Sequence, residues 1–384
     1  VFVPIALSSL FSLCNISFIS SFSNTSFPVF SAVSSISNIS HIPCVSSFIS
    51  FFNCLAFLMY FFSSCFCCSF IDLLKLLDIF HNGSFSYAPW NKVGRLSSCQ
   101  TALQKYTEHL LAFLDVEAIR ARQFRIVLDC GSGTASQFVE ALLKTLGCEV
   151  IAINNQPSPD AIYTPVPGEK HTQAIRQLIK PLGADAGFFF NLDASSIVIV
   201  SDQGQSLGEE YTFALLADYM LSQHPGKPVV TNVSTSSLID RIAQQYGSPV
   251  ARCRIGQQYI IERMRSISAV IGGEGSGSAA CPEFLYGFDG IMSMGLILQM
   301  LAQRHATLSE VVQTFPCYTI YKDVVRCPVF LFHAVLRRIS EIFSGERLDF
   351  TDGVKIFFDV GWLHIRCLLY TSDAADEEDS VDLG

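Results

Sequence analysis

Between residues 119 and 303 the apolar residues change period again and again, from the unbroken run of a buried strand to the 3.6-residue spacing of a helix, with turn-forming residues at the changeovers. RIVLDC (125–130) is an apolar strand running into a glycine turn, SQFVEALLKTLG (136–147) an amphipathic helix closed by Gly147, and EVIAIN (149–154) the next strand. PSPDAIYTPVPGEK (157–170) is a Pro-rich crossing, followed by the helix HTQAIRQLIKPLG (171–183). FFFNLDASSIVIVSDQGQ (188–205) then gives two apolar runs around a small polar loop and a closing turn. Strands that alternate with helices imply crossovers, and crossovers imply a mostly parallel sheet with helices on both faces.

The pattern repeats from about Leu207. EEYTFALLADYMLSQ (209–223) is helical, PVVTNV (228–233) a strand, SSLIDRIAQQYG (236–247) a helix, PVARCRI (249–255) a strand and QYIIERMRSI (258–267) a helix. AVIGGEGSGSAA (269–280) is a strand entering a glycine loop, and GIMSMGLILQMLAQ (290–303) closes the unit as a buried helix. Beyond about Tyr318 stand one amphipathic helix, AVLRRISEIFSG, and two short strands, GVKIFFD and WLHIR. The expected fold class is α/β: two tandem doubly wound three-layer α/β domains plus a partial α+β C-terminal domain.

The two ends differ in kind from this interior. Residues 1–71 contain no Asp, Glu, Lys or Arg, yet hold 6 of the 14 cysteines and 14 of the 32 phenylalanines. FISFFNCLAFLMYFFSSCFCCSFI (48–71) is long and apolar enough to cross a bilayer, but no Lys or Arg precedes it to set an orientation. A secretory signal lacks its positive n-region here. Read on the opposite strand, Glu and Lys codons become Phe codons, so a wrong-strand translation of a charged gene gives a string of this kind. The expectation is that 1–71 is a charge-free leader of spurious translation and that a membrane is not a partner. At the other end, CLLYTSDAADEEDSVDLG (367–384) carries six acids and no base, and CLLYTSDAADE resembles the translation of a transposon-end adapter used in sequencing libraries. The expectation is that 367–384 is an adapter-like acidic tail.

Those six acids account for most of the formal charge of -9. The remainder, 72–366, is near neutral and has no basic stripe, which argues against nucleic acid as a partner. Seven cysteines remain there with no CxxC pair, so neither a disulfide framework nor a zinc site is indicated. A reduced, cytoplasmic compartment is expected.

Two glycine loops carry candidate chemistry. LDCGSGT (128–134) follows a strand and opens a helix, as the first motif of adenosylmethionine-dependent methyltransferases does. Its third glycine is replaced by Ala135 and Ser136, and the strand at 149–154 ends in Asn-Asn where an acid would hold a ribose, so a plain strand-to-helix turn is the stronger reading. In GGEGSGS (272–278) the glycines let backbone approach a ligand, Glu274 offers a bidentate acceptor for vicinal sugar hydroxyls, and Ser276 adds a neutral partner. A flexible hairpin would seldom keep a carboxylate among such small residues.

The order RIVLDCGSG, TPVP, ADAGFFFNLDASSIVIVSDQGQSLGEEYTFALLADYML, NVSTSS, RCRIGQQYIIERM, AVIGGEGSGS and DGVKIFFDVGWLHIR resembles the alpha-D-phosphohexomutases, in particular their phosphoglucosamine and phosphomannose mutase-like branch. The resemblance runs from about Phe85 to Arg366. It implies a remnant of the first domain and a linker at 72–118, a second domain at 119–206, a third at 207–318 and part of a fourth at 319–366. In that family a phosphoserine of the first domain passes its phosphoryl group to a sugar monophosphate, and the bisphosphate turns over and returns the other phosphate.

The resemblance also implies residue roles. Gly273, Glu274, Ser276 and Gly277 match the family's sugar-binding Gly-Glu-x-Ser-Gly, with Ser278 where many members have histidine. Arg254 and Gly256 match the basic residue and glycine ahead of the third domain's helix, with Gln257 in place of the usual acid. The family's magnesium loop, Asp-x-Asp-x-Asp-Arg, falls on Asn191, Asp193, Ser195 and Ser196, so Asp193 is left as the metal-binding candidate of a degenerate loop and Mg2+ binding is expected to be weak or absent. No counterpart of the phosphoserine loop Thr-Ala-Ser-His-Asn-Pro is found, Ser40-His41-Ile42-Pro43 being a chance echo, and the fourth domain's phosphate loop would begin just after Arg366. The expected function is that of a homologue of an intramolecular phosphotransferase interconverting the 1- and 6-phosphates of a hexose or hexosamine, this chain itself inactive. A non-catalytic sugar-phosphate-binding protein is the alternative, and an adenosylmethionine-dependent methyltransferase a weaker one.

Overall fold

The computed structural model describes residues 101–158, 169–323, 325, 327, 328, 331–359 and 361–366, with residues 79, 82, 84 and 86 standing alone before them. The leader 1–71 with its apolar run 48–71, the TPVP crossing at 164–167 and the acidic tail 367–384 lie outside the described residues. Among the described residues no helix is long and apolar enough to cross a membrane.

Two helices precede the first strand, α1 (Ala102–Phe113) and α2 (Val116–Arg122). Asp115 separates them and caps α2, its carboxylate accepting the Ala118 N–H at 3.1 Å. The first sheet follows with β1 (Arg125–Asp129), α3 (Val139–Thr145), β2 (Glu149–Ile153), α4 (Gln173–Leu182), β3 (Ala186–Phe190) and β4 (Ile197–Ser201). Its order is β2-β1-β3-β4, with β1 parallel to both neighbours and β4 antiparallel at the edge. The short polar loop at 191–196 makes β3 and β4 a hairpin, and only that strand breaks the parallel pattern.

The second sheet repeats this layout. α5 (Glu209–Gln223) leads to β5 (Val229–Asn232), α6 (Leu238–Gln245), β6 (Val250–Cys253), α7 (Gln257–Ile267), β7 (Ile271–Glu274) and β8 (Ser278–Ala280). The order β6-β5-β7-β8, again with one antiparallel edge strand, is the same as in the first sheet. α8 (Gly290–Arg304) and α9 (Leu308–Gln313) complete this part, α9 opening on a capping box between Thr307 and Glu310.

Strands buried on both faces read as unbroken apolar runs. Along β1, Ile126 and Leu128 face one core while Val127 faces another, in which Ile175 and Ile179 of α4 cover the sheet. In the second sheet Val230 packs with Ile260 and Met264 of α7, and Val229 turns the other way. The two inward faces share one cluster, filled by α5 and α8. That position explains their sequence: both touch β4 of the first sheet and β8 of the second, and residues 212–221 of α5 are all buried.

After α9 the chain continues to α10 (Phe332–Ile342) and an antiparallel sheet of β9 (Arg347–Asp349), β10 (Val354–Phe358) and β11 (Gly361–Ile365) in the order β11-β10-β9. This piece has a small core of its own around Val354, Ile356 and Ile365. It docks on the loop after β5 through polar contacts: Lys355 Nζ donates to the Val233 carbonyl, His364 Nδ1 pairs with Ser234 Oγ, and Trp362 Nε1 donates to Ser237 Oγ at 3.2 Å.

Candidate active-site cleft

The two sheets meet edge to edge. Ser196, at the start of β4, forms an antiparallel bridge with Ser278 at the start of β8, and the Ile197 N–H donates to the Gly277 carbonyl at 3.1 Å. β3 ends at Phe190 and β7 at Glu274, so the junction brings the loops at the carboxyl ends of these two strands side by side. The carboxyl ends of strands are where ligands bind in open α/β sheets.

A buried aspartate fastens this junction from below. Asp289 caps α8 by accepting the Ile291 and Met292 N–H groups, each at 2.9 Å. Its own N–H donates to the Ala279 carbonyl at 3.0 Å, and the next residue, Gly290, donates to the Ala194 carbonyl at 2.9 Å. One helix start therefore holds both the 191–196 loop and strand β8.

The first loop is closed on itself. Asp193 Oδ1 accepts the Ser195 N–H at 3.0 Å and the Ser195 hydroxyl at 2.6 Å, an Asx turn with Ala194 at φ +60°. Asn191 Oδ1 accepts the Ser196 N–H at 3.1 Å, and Asn191 Nδ2 donates to Ser195 Oγ at 3.1 Å. Asn191, Asp193 and Ser195 thus lie together in this loop, with one exposed carboxylate among them. Magnesium takes hard oxygen ligands, chiefly carboxylates, phosphates and water. Here a single carboxylate is already engaged as an acceptor and Asn191 uses its amide oxygen within the loop, so the donor set does not fit that ion. Among the described residues no group of three or more His, Cys, Asp or Glu could hold a metal.

The second loop is built around a buried carboxylate. Glu274 is 2% exposed; its Oε1 accepts the Gly256 N–H at 3.2 Å, and Ser276 Oγ lies 3.4 Å from Oε2. Ser276 Oγ is also 3.4 Å from Ser278 Oγ, so Glu274, Ser276 and Ser278 form one short polar row. Gly273 has no room for a side chain: a Cβ would sit 2.3 Å from the Phe213 ring. Gly277 stands at φ +82° with a Cβ position 2.3 Å from the Ile197 carbonyl oxygen, at the sheet-to-sheet junction. These two glycines shape the loop, and Glu274 and Ser276 supply its chemistry.

Arg254 is exposed on the far side of Gly256, and its Nε donates to the Thr351 carbonyl at 3.2 Å. Beside it the Ile255 N–H donates to Asp352 Oδ2 at 2.9 Å, so the basic position ahead of α7 is tied to the C-terminal piece.

The glycine turn at 128–134 plays a different part. The Asp129 carboxylate accepts the Gly131 N–H at 2.9 Å and the Asn154 side-chain amide at 3.0 Å. The Thr134 N–H donates to the Leu192 carbonyl at 2.8 Å, and a Cβ on Gly133 would lie 2.4 Å from that same oxygen. The face a nucleotide would approach is filled by the backbone of the 191–196 loop, so this turn supports that loop. An open groove of about 820 Å³ lies between α6 and the segment after α9, but its lining residues, among them Arg241, Phe315 and Tyr318, belong to neither loop.

Sequence reasoning missed Glu209, Glu210 and Lys322, which meet under the second loop. Glu210 Oε2 accepts the Ser236 N–H at 3.0 Å, and Lys322 Nζ donates to Glu209 Oε2 at 3.1 Å. Burial pushes both carboxyls above their ordinary range, and the Lys322 ammonium draws them back. Adjacent acids at a helix start read as ordinary dipole partners, so only the fold reveals this cluster.

Comparison with known proteins identifies the family. Residues 104–204 match the family model "Phosphoglucomutase/phosphomannomutase, alpha/beta/alpha domain II", and residues 208–318 match its domain III counterpart. The chain belongs to the alpha-D-phosphohexomutase family. A phosphoglucomutase/phosphomannomutase of Thermococcus kodakarensis is 32% identical over 292 residues, which cover 75% of this chain and 64% of that protein. A phosphoglucosamine mutase of Methanococcus maripaludis is 26% identical over 302 residues, covering 76% of this chain and 66% of its own length. The chain thus spans just under two thirds of these two phosphohexomutases. The fold is that of a solved Burkholderia thailandensis phosphoglucomutase/phosphomannomutase family protein, with a TM-score of 0.66 at 21% identity over 81% of this chain and 68% of that one.

Proposed function

We propose that this chain is the sugar-gripping middle of a hexose- or hexosamine-phosphate mutase, and that the parent reaction interconverts the 1- and 6-phosphates of the sugar. One observation carries the reading: the Ser196–Ser278 bridge seats the Asp193 loop and the Glu274 loop together at the carboxyl ends of their strands. Glu274 would accept two neighbouring sugar hydroxyls and Ser276 a third contact, because a carboxylate is suited to bidentate recognition. Gly273 and Gly277 let the backbone come close, and Arg254 lies where a cation could meet phosphate if the Thr351 contact opens. The reading puts the protein in the cytoplasm.

Turnover is a separate matter. Phosphoryl transfer depends on positioning and on neutralising developing charge. With one carboxylate in the 191–196 loop, closed by its own hydrogen bonds, these residues supply little of the second. That observation favours a second reading, a protein that binds sugar phosphate without turning it over.

Isothermal titration of the chain with glucose 1-phosphate, glucose 6-phosphate, mannose 6-phosphate and glucosamine 6-phosphate tests the proposal. Binding of at least one, lost in Glu274→Gln, is the expected result. No binding at millimolar sugar phosphate, or equal binding by the variant, would overturn it. Conversion of the bound sugar, followed by phosphorus NMR, separates mutase from sensor.

A further inference from the structure

Beneath the sugar loop is a small cage of oxygens that the chain fills with a cation of its own. Lys322, on the segment after α9, places its Nζ 3.1 Å from Glu209 Oε2, 3.1 Å from the Gly275 carbonyl oxygen and 3.9 Å from Glu210 Oε1. All three side chains are withdrawn from solvent, with exposures of 15% for Lys322, 10% for Glu209 and 14% for Glu210. Among the described residues Glu210 Oε1 has no hydrogen-bond partner, and it presses on the loop so closely that a Cβ on Gly275 would fall 1.9 Å from it. Two adjacent carboxylates in such a place repel one another, and Arg252 is a weaker influence on Glu210 than Lys322.

We infer that Lys322 is a positioning residue: its ammonium neutralises the Glu209–Glu210 pair and holds the Gly275 carbonyl, fixing the loop in which Glu274 and Ser276 flank that glycine. The consequence for sugar recognition rests on the function proposed above. The structural role rests on these contacts alone. An ammonium carries three donors and no acceptor, which suits a site lined by carboxylate and carbonyl oxygens.

Hydrogen exchange of the full chain, read by mass spectrometry on a peptide spanning 271–280, tests the assignment. In Lys322→Ala that peptide is expected to exchange roughly tenfold faster while peptides of β1 and β5 keep their protection. Addition of n-propylammonium chloride, the removed Cγ-to-Nζ part of the side chain as a free ion, is expected to restore protection where sodium chloride at equal ionic strength does not. Because two unpaired buried acids threaten the fold, the double variant Lys322→Met with Glu209→Gln is measured beside it; it leaves one buried acid instead of two, so the cluster keeps its original net charge, and it should show the same local loosening. Unchanged exchange of 271–280 in the double variant, or restoration by sodium chloride alone in Lys322→Ala, overturns the assignment. Titration of the unaltered chain with glucosamine 6-phosphate tests the sugar reading independently, since failure to bind there leaves the exchange result, and the positioning role, standing.

Discussion

The Tyr106 hydroxyl lies 2.9 and 3.0 Å from the two carboxylate oxygens of Asp289, 183 residues further along the chain. The pair joins α1, ahead of the first sheet, to the start of α8, where the loop at Ala194 and strand β8 at Ala279 are both anchored. Burial is the dominant influence on Asp289 and raises its carboxyl to about 6, against the ordinary 3.8, despite the four hydrogen bonds it accepts.

A pH dependence follows from that shift. Between pH 3.8 and about 6 the folded state holds a proton on Asp289 that the unfolded chain has released, so this group makes stability fall as pH rises through the window. Above about pH 6 the cost of the buried charge is fully present, and it is relieved as pH falls. Asn keeps the cap without the charge, so Asp289→Asn should be insensitive to this term. Urea midpoints of the two proteins from pH 4.5 to 8 should diverge in favour of the variant, by on the order of 2 kcal/mol at the upper end. A constant difference across the range would show that the carboxyl titrates normally.

Lys355 gives a dependence of the same sign convention and opposite slope. Burial, with Arg252 adding to it, lowers its ammonium to about 7 from 10.5, although Nζ lies 3.9 Å from the Trp362 ring in cation–π geometry. Between about pH 7 and 10.5 the unfolded chain holds a proton that the folded state has released, so stability rises with pH there and is lowest below about 7. The neutral amine still donates to the Val233 carbonyl, so docking of the C-terminal sheet should tighten between pH 6.5 and 9. Trp362 fluorescence under urea reports that docking directly. Lys355→Met should flatten the response, which in the parent is on the order of a few kcal/mol over the whole window.

Gly277 separates conformational cost from packing cost. It stands at φ +82° with its Cβ position 2.3 Å from the Ile197 carbonyl, whereas Gly247 stands at φ +63° with open space around it. Alanine at either site meets backbone strain, about 1 kcal/mol. At 277 the clash with backbone at the sheet junction adds to it, for a total of about 3 kcal/mol. Urea denaturation of Gly277→Ala and Gly247→Ala should rank them in that order, and sugar-phosphate binding should fall only in the first.

How far the sequence alone reaches can be judged from these same residues. The strands at 125–129 and 229–232, and the helix at 209–223, were readable because their apolar runs are long and bounded by turn residues. The loop at 191–196 was readable because Asn, Asp and Ser state their turn chemistry locally. Helix α1 is not legible in this way, since the sequence places 72–118 in a first-domain remnant and linker and its partner Asp289 is distant in sequence. The meeting of Lys322 with Glu209 spans 113 residues and leaves no periodic trace. Local physics writes elements into a sequence, while contacts between elements are set by the whole fold.

The closed loop at Asn191, Asp193 and Ser195 makes the last prediction, about magnesium. Asp193 is exposed, so each carboxylate added beside it would act on a dication through solvent, and a pair worth about 4 kcal/mol at 4 Å and dielectric 20 shrinks to about 1 kcal/mol. Asn191→Asp with Ser195→Asp should therefore strengthen Mg2+ binding roughly thirtyfold over the unaltered chain, about fivefold per carboxylate. Without the ion, three neighbouring carboxylates repel one another and lose the Asn191 and Ser195 hydrogen bonds, so the double variant should unfold at lower temperature. Added Mg2+ should restore the lost stability in the variant and change the parent little. Isothermal titration and thermal melts with and without Mg2+ read both effects. A parent chain that already binds Mg2+ at micromolar concentration would mean that the loop opens in solution and that Asp193 recruits ligands from outside the 191–196 segment.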